Sequence, residues 1–202
     1  MIVSEIFRSL QGEGLNQGRP CTFVRLTGCN LRCAWCDTPY AREGGTEMSV
    51  TEVLDQVWLL NGKHICITGG EPLLQREEVL ELLKKFSLHG YTVEIETNGT
   101  RDFRGMQPYA SICMDVKCPS SGERSDLRLL PFISRRDCVK FVVADEDDLL
   151  YARAVMAGCE IQGEIFVSPV EGADHRAIAD YIVEENLPVR FQLQLHKILG
   201  VK

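Results

Sequence analysis

Cys29, Cys33 and Cys36 lie in the run Cys29-Asn30-Leu31-Arg32-Cys33-Ala34-Trp35-Cys36, directly after a strand-like segment. Three thiolates from one short loop can hold three irons of a 4Fe–4S cluster and leave the fourth iron without a protein ligand. Such an iron can bind and reduce a small molecule, so the spacing points to redox chemistry as well as to a clamp. Three other readings stand beside it. Structural zinc usually takes four ligands in C-x₂₋₄-C pairs, and no second CxxC or HxxxH completes one here. Disulfides are disfavoured in a chain that shows no apolar leader and reads as cytosolic. The third is a set of plain buried thiols.

Six further cysteines stand outside the run: Cys21, Cys66, Cys113, Cys118, Cys138 and Cys159. Cys66, Cys113 and Cys138 sit in apolar, strand-like stretches and read as small buried hydrophobes. The remaining spacings give a second cluster little support.

The elements that must carry the loop alternate between strand and helix. Cys21 to Thr27 reads as a strand. Ser49-Val50-Thr51-Glu52 reads as a capping box, opening a helix whose apolar face is Val53, Leu54, Val57 and Leu60 and which Asn61-Gly62 ends. His64 to Thr68 is a short apolar strand. Gln75 to His89 has helical spacing and stops at Gly90. Tyr91 to Glu96, Ile112 to Val116, Cys138 to Val143, Ile161 to Val167 and Val189 to Leu195 read as strands. Asp145 to Ala157, acidic at its start, and Ala173 to Glu185 read as helices. Gly105, Pro108, Pro119, Gly122 and Pro131 interrupt residues 101–137, so no long helix is expected there. Repeated strand–helix units imply a mostly parallel sheet with right-handed crossovers. The expected fold is α/β: a partial, open (β/α) barrel of about six mostly parallel strands with an incomplete helical layer. A closed eight-unit barrel typically takes ~250 residues.

Composition narrows the function classes. The 202 residues, 45% apolar and 25% charged, fit one globular domain spanning 1–202. A net charge of −7 argues against a general nucleic-acid binder, which needs a basic footprint. No apolar run approaches the ~20 residues of a membrane helix, and Met1 leads straight into Ile2-Val3-Ser4-Glu5. A cytoplasmic protein is expected.

The strand ends sharpen the chemistry. His64-Ile65-Cys66-Ile67 runs into Thr68-Gly69-Gly70-Glu71-Pro72, about 33 residues after Cys36. Alone, Gly-Gly-Glu-Pro is a turn. Placed after the cysteine loop, it resembles the GGE motif of the radical S-adenosylmethionine (SAM) enzymes. Phe7-Arg8-Ser9-Leu10-Gln11-Gly12-Glu13-Gly14, Phe23-Val24-Arg25-Leu26-Thr27-Gly28-Cys29, Cys36-Asp37-Thr38 and the tail Gln192-Leu193-Gln194-Leu195-His196-Lys197 resemble the 7-carboxy-7-deazaguanine synthases within that superfamily. The resemblance runs from Ile6 to Lys202 and is weakest between about 101 and 165.

That resemblance implies a 4Fe–4S cluster, SAM and Mg²⁺ as cofactors. The cluster's open iron would chelate SAM and give one electron to its sulfonium, generating an adenosyl radical. The implied reaction is a carbon–nitrogen lyase step: hydrogen abstraction at C6 of 6-carboxy-5,6,7,8-tetrahydropterin, ring contraction and loss of ammonia. Cys29, Cys33 and Cys36 would hold the cluster, and Thr38 would offer its hydroxyl to Mg²⁺. Leu10, Gln11, Gly12, Glu13, Arg25, Thr68, Glu96, His196 and the C-terminal Lys202 would bind substrate, with Arg25, Glu96 and His196 catalytic. Trp35, Asp37, Gly70, Glu71, Lys117 and the turn Ser168-Pro169-Val170-Glu171 would contact SAM. The family also implies a homodimer and an electron donor such as flavodoxin or ferredoxin. Rival readings are a glycyl-radical-enzyme activase, which acts on a protein, and a non-catalytic iron–sulfur electron carrier.

Overall fold

A computed structural model describes residues 1–202. One nine-stranded sheet organises the chain: β1 (Ile2–Leu10), β2 (Pro20–Leu26), β3 (Thr46–Glu47), β4 (His64–Gly69), β5 (Thr92–Thr97), β6 (Ser111–Val116), β7 (Cys138–Val143), β8 (Glu164–Pro169) and β9 (Arg190–Phe191). Their order is β3-β1-β2-β4-β5-β6-β7-β8-β9. From β2 to β9 every neighbouring pair is parallel, while β1 is antiparallel to both β2 and β3. The sheet does not close on itself, as the open-barrel expectation required.

Helices α1 (Val50–Leu59), α2 (Arg76–Leu88), α3 (Glu146–Gly158) and α4 (His175–Glu184) supply the crossovers. Ser49 and Glu52 form the expected reciprocal cap of α1, with Glu52 N donating to Ser49 Oγ at 3.2 Å and Ser49 N to Glu52 Oε2 at 2.7 Å. Asn61, at φ +52°, turns the chain out of α1. In α2, Val79, Leu82, Leu83 and Phe86 bury one face, each such side chain contributing roughly 1.5–3 kcal/mol. Apart from β6, residues 98–137 hold only short 3₁₀ turns, Pro119–Ser121 and Leu127–Phe132. The helical layer is therefore incomplete.

Three expectations need correction. β1 was not foreseen, because its burial is mixed and its register to β2 shifts between Val3 and Glu5. The strand expected over Ile161 to Val167 is Glu164–Pro169. The strand expected over Val189 to Leu195 shrinks to Arg190–Phe191, and Leu195–Leu199 forms a short helix, α5. Gln192 ends β9 by folding onto the N-terminal loop, where its side chain takes both the N–H and the C=O of Gly14, at 2.7 and 3.0 Å.

Strand alternation gives the sheet two unlike faces. Val24, Leu26, Ile65, Ile67, Val93, Ile95, Val139 and Phe141 face the helices in the main apolar cluster. The opposite, concave face carries Arg25, Thr68, Glu94, Glu96, Asp115 and Lys140. Arg25 pairs with Thr68 and Asp115 with Lys140 across neighbouring strands.

Candidate active site

A cavity of about 540 Å³ opens on the concave face and is lined at once by the cysteine loop, the floor strands and the C-terminal tail. The loop leaves β2 through Gly28, whose φ of +104° only glycine tolerates well. It rests on the turn after β4: Gly70 N donates to Leu26 O at 3.1 Å and Glu71 N to Gly28 O at 2.7 Å. A Cβ on Gly70 would lie 2.1 Å from Gly28 O and 2.8 Å from the Cys29 Cβ. The two glycines are thus required by the backbone that carries Cys29.

All nine cysteines are free thiols, and Cys29, Cys33 and Cys36 are half-buried on the cavity wall. Leu31 N donates to Cys29 Sγ at 3.4 Å, and Asn98 Nδ2 at 3.9 Å. N–H···S contacts of this kind tune iron–sulfur clusters. Burial pushes the Cys33 thiol up, so taking up iron must expel a proton. Three reduced thiols on one cavity wall, with no fourth in the loop, fit a cluster with an open iron. The Thr38 hydroxyl makes no capping bond and lines the same cavity. One protein oxygen, completed by water or substrate, suits Mg²⁺.

The floor is a set of buried charges. Gln11 is 2% exposed, and its amide bridges two glutamates, donating to Glu94 Oε1 and, at 3.1 Å, to Glu96 Oε1. Glu94 has two further partners: Asn16 Nδ2 lies 2.7 Å from Oε2, and His64 Nε2 shares a hydrogen bond with Oε1 at 3.2 Å. Thr68 Oγ1 donates to Glu96 Oε2 at 3.3 Å. Glu13 accepts from Lys140 Nζ and Gln194 Nε2. Burial would raise Glu13, but the Lys140 charge and hydrogen bond, the Gln194 hydrogen bond and the His196 charge together hold the carboxyl below its ordinary range. Burial wins at Glu96 and pushes that carboxyl up, with only partial relief from Lys140. Asp115 pairs with Lys117 at 2.6 Å, and the Lys117 ammonium sits 5.1 Å from the Trp35 ring centre.

Arg25 enters from β2. Its Nε donates to Glu5 at 2.9 Å, and its guanidinium lies 5.6 Å from the Phe7 ring centre. The tail closes the far side. Leu195 N donates to Gly12 O at 3.1 Å, and a Cβ on Gly12 would strike His196 Nδ1 at 2.2 Å. His196 Nε2 is 3.8 Å from Asp37. Lys202 Nζ pairs with Glu5.

The Radical SAM superfamily model matches residues 23–114. A 7-carboxy-7-deazaguanine synthase of Methanospirillum hungatei is 53% identical over 100% of this chain and 86% of its own length. One from Thermoplasma acidophilum is 40% identical over 98% and 97%. The crystal structure of QueE from Escherichia coli superposes with a TM-score of 0.77 at 25% identity, covering 96% of this chain and 93% of that one. This chain belongs to the 7-carboxy-7-deazaguanine synthase family. As in the radical SAM superfamily generally, its cofactors are a 4Fe–4S cluster and SAM.

Within this synthase-family cavity lie Leu10, Gln11, Gly12, Glu13, Arg25, Thr68, Glu96, His196 and Lys202, the three cysteines, Trp35, Asp37, Thr38, Gly70, Lys117 and Val170. Glu71, Ser168, Pro169 and Glu171 are not on its wall. The Glu71 carboxylate turns inward, accepting from Leu73 N at 2.9 Å and Asn98 N at 2.7 Å. Ser168 Oγ is buried without a partner. Sequence reasoning missed Lys140, Gln194 and Asp115 as cavity residues. A lysine inside the apolar strand Cys138-Val139-Lys140-Phe141-Val142-Val143 was a visible signal.

Proposed function

We infer that the protein converts 6-carboxy-5,6,7,8-tetrahydropterin to 7-carboxy-7-deazaguanine with loss of ammonia. The observation that carries this reading is one cavity holding both the three cluster thiols and the paired charges of Arg25, Glu13, Glu96 and His196. When bound, the cluster and SAM supply the hydrogen-abstracting radical. The remaining work belongs to side chains. Arg25, with Nε held by Glu5, keeps its two terminal amino groups for the substrate carboxylate, a bidentate match. Glu13, ionised, accepts from N–H donors of the aminopyrimidinone. Glu96, with its raised affinity for a proton, holds or delivers one beside the departing amine. Thr38 holds Mg²⁺ through its hydroxyl. Trp35, Gly70, Lys117 and Val170 form the SAM side. An active homodimer and a flavodoxin- or ferredoxin-type reductant complete the proposal.

No helix is long and apolar enough to cross a membrane. The tail lies across the cavity at Gly200, Val201 and Lys202, which favours a small substrate over the polypeptide an activase must admit. The test is anaerobic reconstitution with iron and sulfide, then SAM, reductant, Mg²⁺ and the tetrahydropterin. Mass spectrometry should find 7-carboxy-7-deazaguanine. SAM cleavage without that product overturns the substrate assignment.

A further inference from the structure

We propose that Lys140 is a positioning residue for the substrate: its ammonium fixes Glu13, in place and in charge, as the acceptor for the N–H donors of the aminopyrimidinone edge. This role rests on the pterin reading above. Lys140 sits at the centre of β7, all six residues of which are buried. A buried ammonium is costly unless paired, and an apolar residue would serve the strand better. The cation therefore answers to the cavity it lines.

The pairing on the floor is selective. Asp115, the cross-strand neighbour of Lys140, already has Lys117, and Arg25 has Glu5. Glu94 and Glu96 take neutral donors and His64. Lys140 is the one cation bonded to Glu13. Gln194 takes the other Glu13 oxygen. The backbone is held as well: Glu13 N donates to Gln11 Oε1 at 3.3 Å, and Gln192 clamps Gly14. A carboxylate offers about four lone-pair sites. Two are used, which leaves one on each oxygen. Two parallel N–H donors, as on a 2-amino-4-oxopyrimidine edge, match that arrangement.

The test uses the reconstituted enzyme with Lys140→Met, Lys140→Arg, Glu13→Gln and the Glu13→Gln/Lys140→Met pair. Iron, sulfide and SAM binding are measured beside pterin affinity and turnover. Lys140→Met is expected to raise the pterin Kd and KM by roughly 10- to 100-fold, the worth of one hydrogen bond to a charged group, with kcat changed far less. Lys140→Arg should recover most of the affinity. The double variant should be no worse than Glu13→Gln alone. Without Lys140, Glu13 shares the cavity with Glu96 on β5, Asp115 and Cys113 on β6, and the cations Arg25 on β2, Lys117 after β6 and His196 and Lys197 from the tail, of which His196 lowers it. Losing Lys140 takes away the charge that most lowers this carboxyl, so its affinity for a proton rises. The Lys140→Met penalty in pterin Kd should shrink as pH rises, while the wild-type Kd stays flat.

A Lys140→Met enzyme with full cluster content and wild-type pterin Kd overturns the proposal. So does a pH-independent penalty, or additivity in the double variant. If Lys140→Met does not fold, the double variant, which removes both members of the ion pair, decides: wild-type affinity there overturns the role. A wild-type enzyme that neither binds nor converts the pterin instead overturns the substrate reading, and this role with it.

Discussion

The two walls of the cavity are built on opposite plans. The cysteine wall is one loop of eight residues, Cys29 to Cys36, anchored at its stem by backbone, Gly28 N on Ala41 O at 2.9 Å and the Gly70 contact, and along its length by hydrogen bonds to neighbouring turns, such as Ala34 N on Ser121 O at 3.0 Å and Trp35 Nε1 on Ser120 Oγ at 3.1 Å. The floor is assembled from β1, β2, β4, β5, β6, β7 and the tail, and is held by side-chain charge. A loop can present ligands to a cofactor that brings its own bonding. A substrate with fixed donors and acceptors needs groups on rigid strands, each locked by a neighbour. The first wall should fail all at once when altered, and the second by degrees.

The largest effect is expected on the loop. Cys33→Ala leaves two thiolates, and iron–sulfide content and pterin turnover should both fall below detection. Appreciable activity in that variant would move the cluster elsewhere. Gly70→Ala attacks the same wall without touching a ligand. Its Cβ has to displace Gly28 O from 2.1 Å, an overpacking cost of about 1–3 kcal/mol. Lower melting temperature and at least tenfold weaker iron retention should follow, with the floor's pterin contacts intact. Unchanged iron retention would show that the loop is carried by something other than the glycine turn.

On the floor, Glu96→Gln should lower kcat by roughly 100-fold, within the usual range for a lost proton-transfer group, while leaving cluster content unchanged. Burial raises the folded Glu96 carboxyl above its unfolded value. Its protonated form is therefore the one the fold favours. That contribution is complete below the unfolded value and is lost as pH rises through the folded one. A wild-type kcat profile should fall on its alkaline side, and Glu96→Gln should flatten that limb. A limb that survives the substitution belongs to another group.

The same contrast explains what could be read in the chain. The cysteine loop and Thr68-Gly69-Gly70-Glu71 are local, so their spacing shows directly in the residues. The capping box at Ser49 and the helix of Gln75 to His89 are local too, and both stand within a residue of expectation. Lys140 stood out in its apolar strand, but its pairing was hidden because the partner, Glu13, lies 127 positions away. Gln192 was hidden for the same reason, and with it the early end of β9. The glutamate after Gly70 shows the opposite hazard: a residue with the right motif whose carboxylate the turn itself consumes.

The smallest effect is expected where the two walls meet, at Lys202. Its ammonium pairs with Glu5 and lies 4.7 Å from the Phe7 ring centre, yet its side chain is 61% exposed. Exposed pairs contribute about 0–1 kcal/mol and are screened by salt. Stability should therefore change little in Lys202→Ala. Glu5, however, also holds Arg25 Nε, so losing Lys202 frees that carboxylate to draw the guanidinium back from the cavity. The expected result is a KM for the pterin raised a few-fold at low salt, a smaller increase at high salt, and an unchanged kcat. A salt-independent change would place the effect on the chain terminus itself. An equal fall in kcat would mean that the tail shapes the cysteine wall as well as the floor.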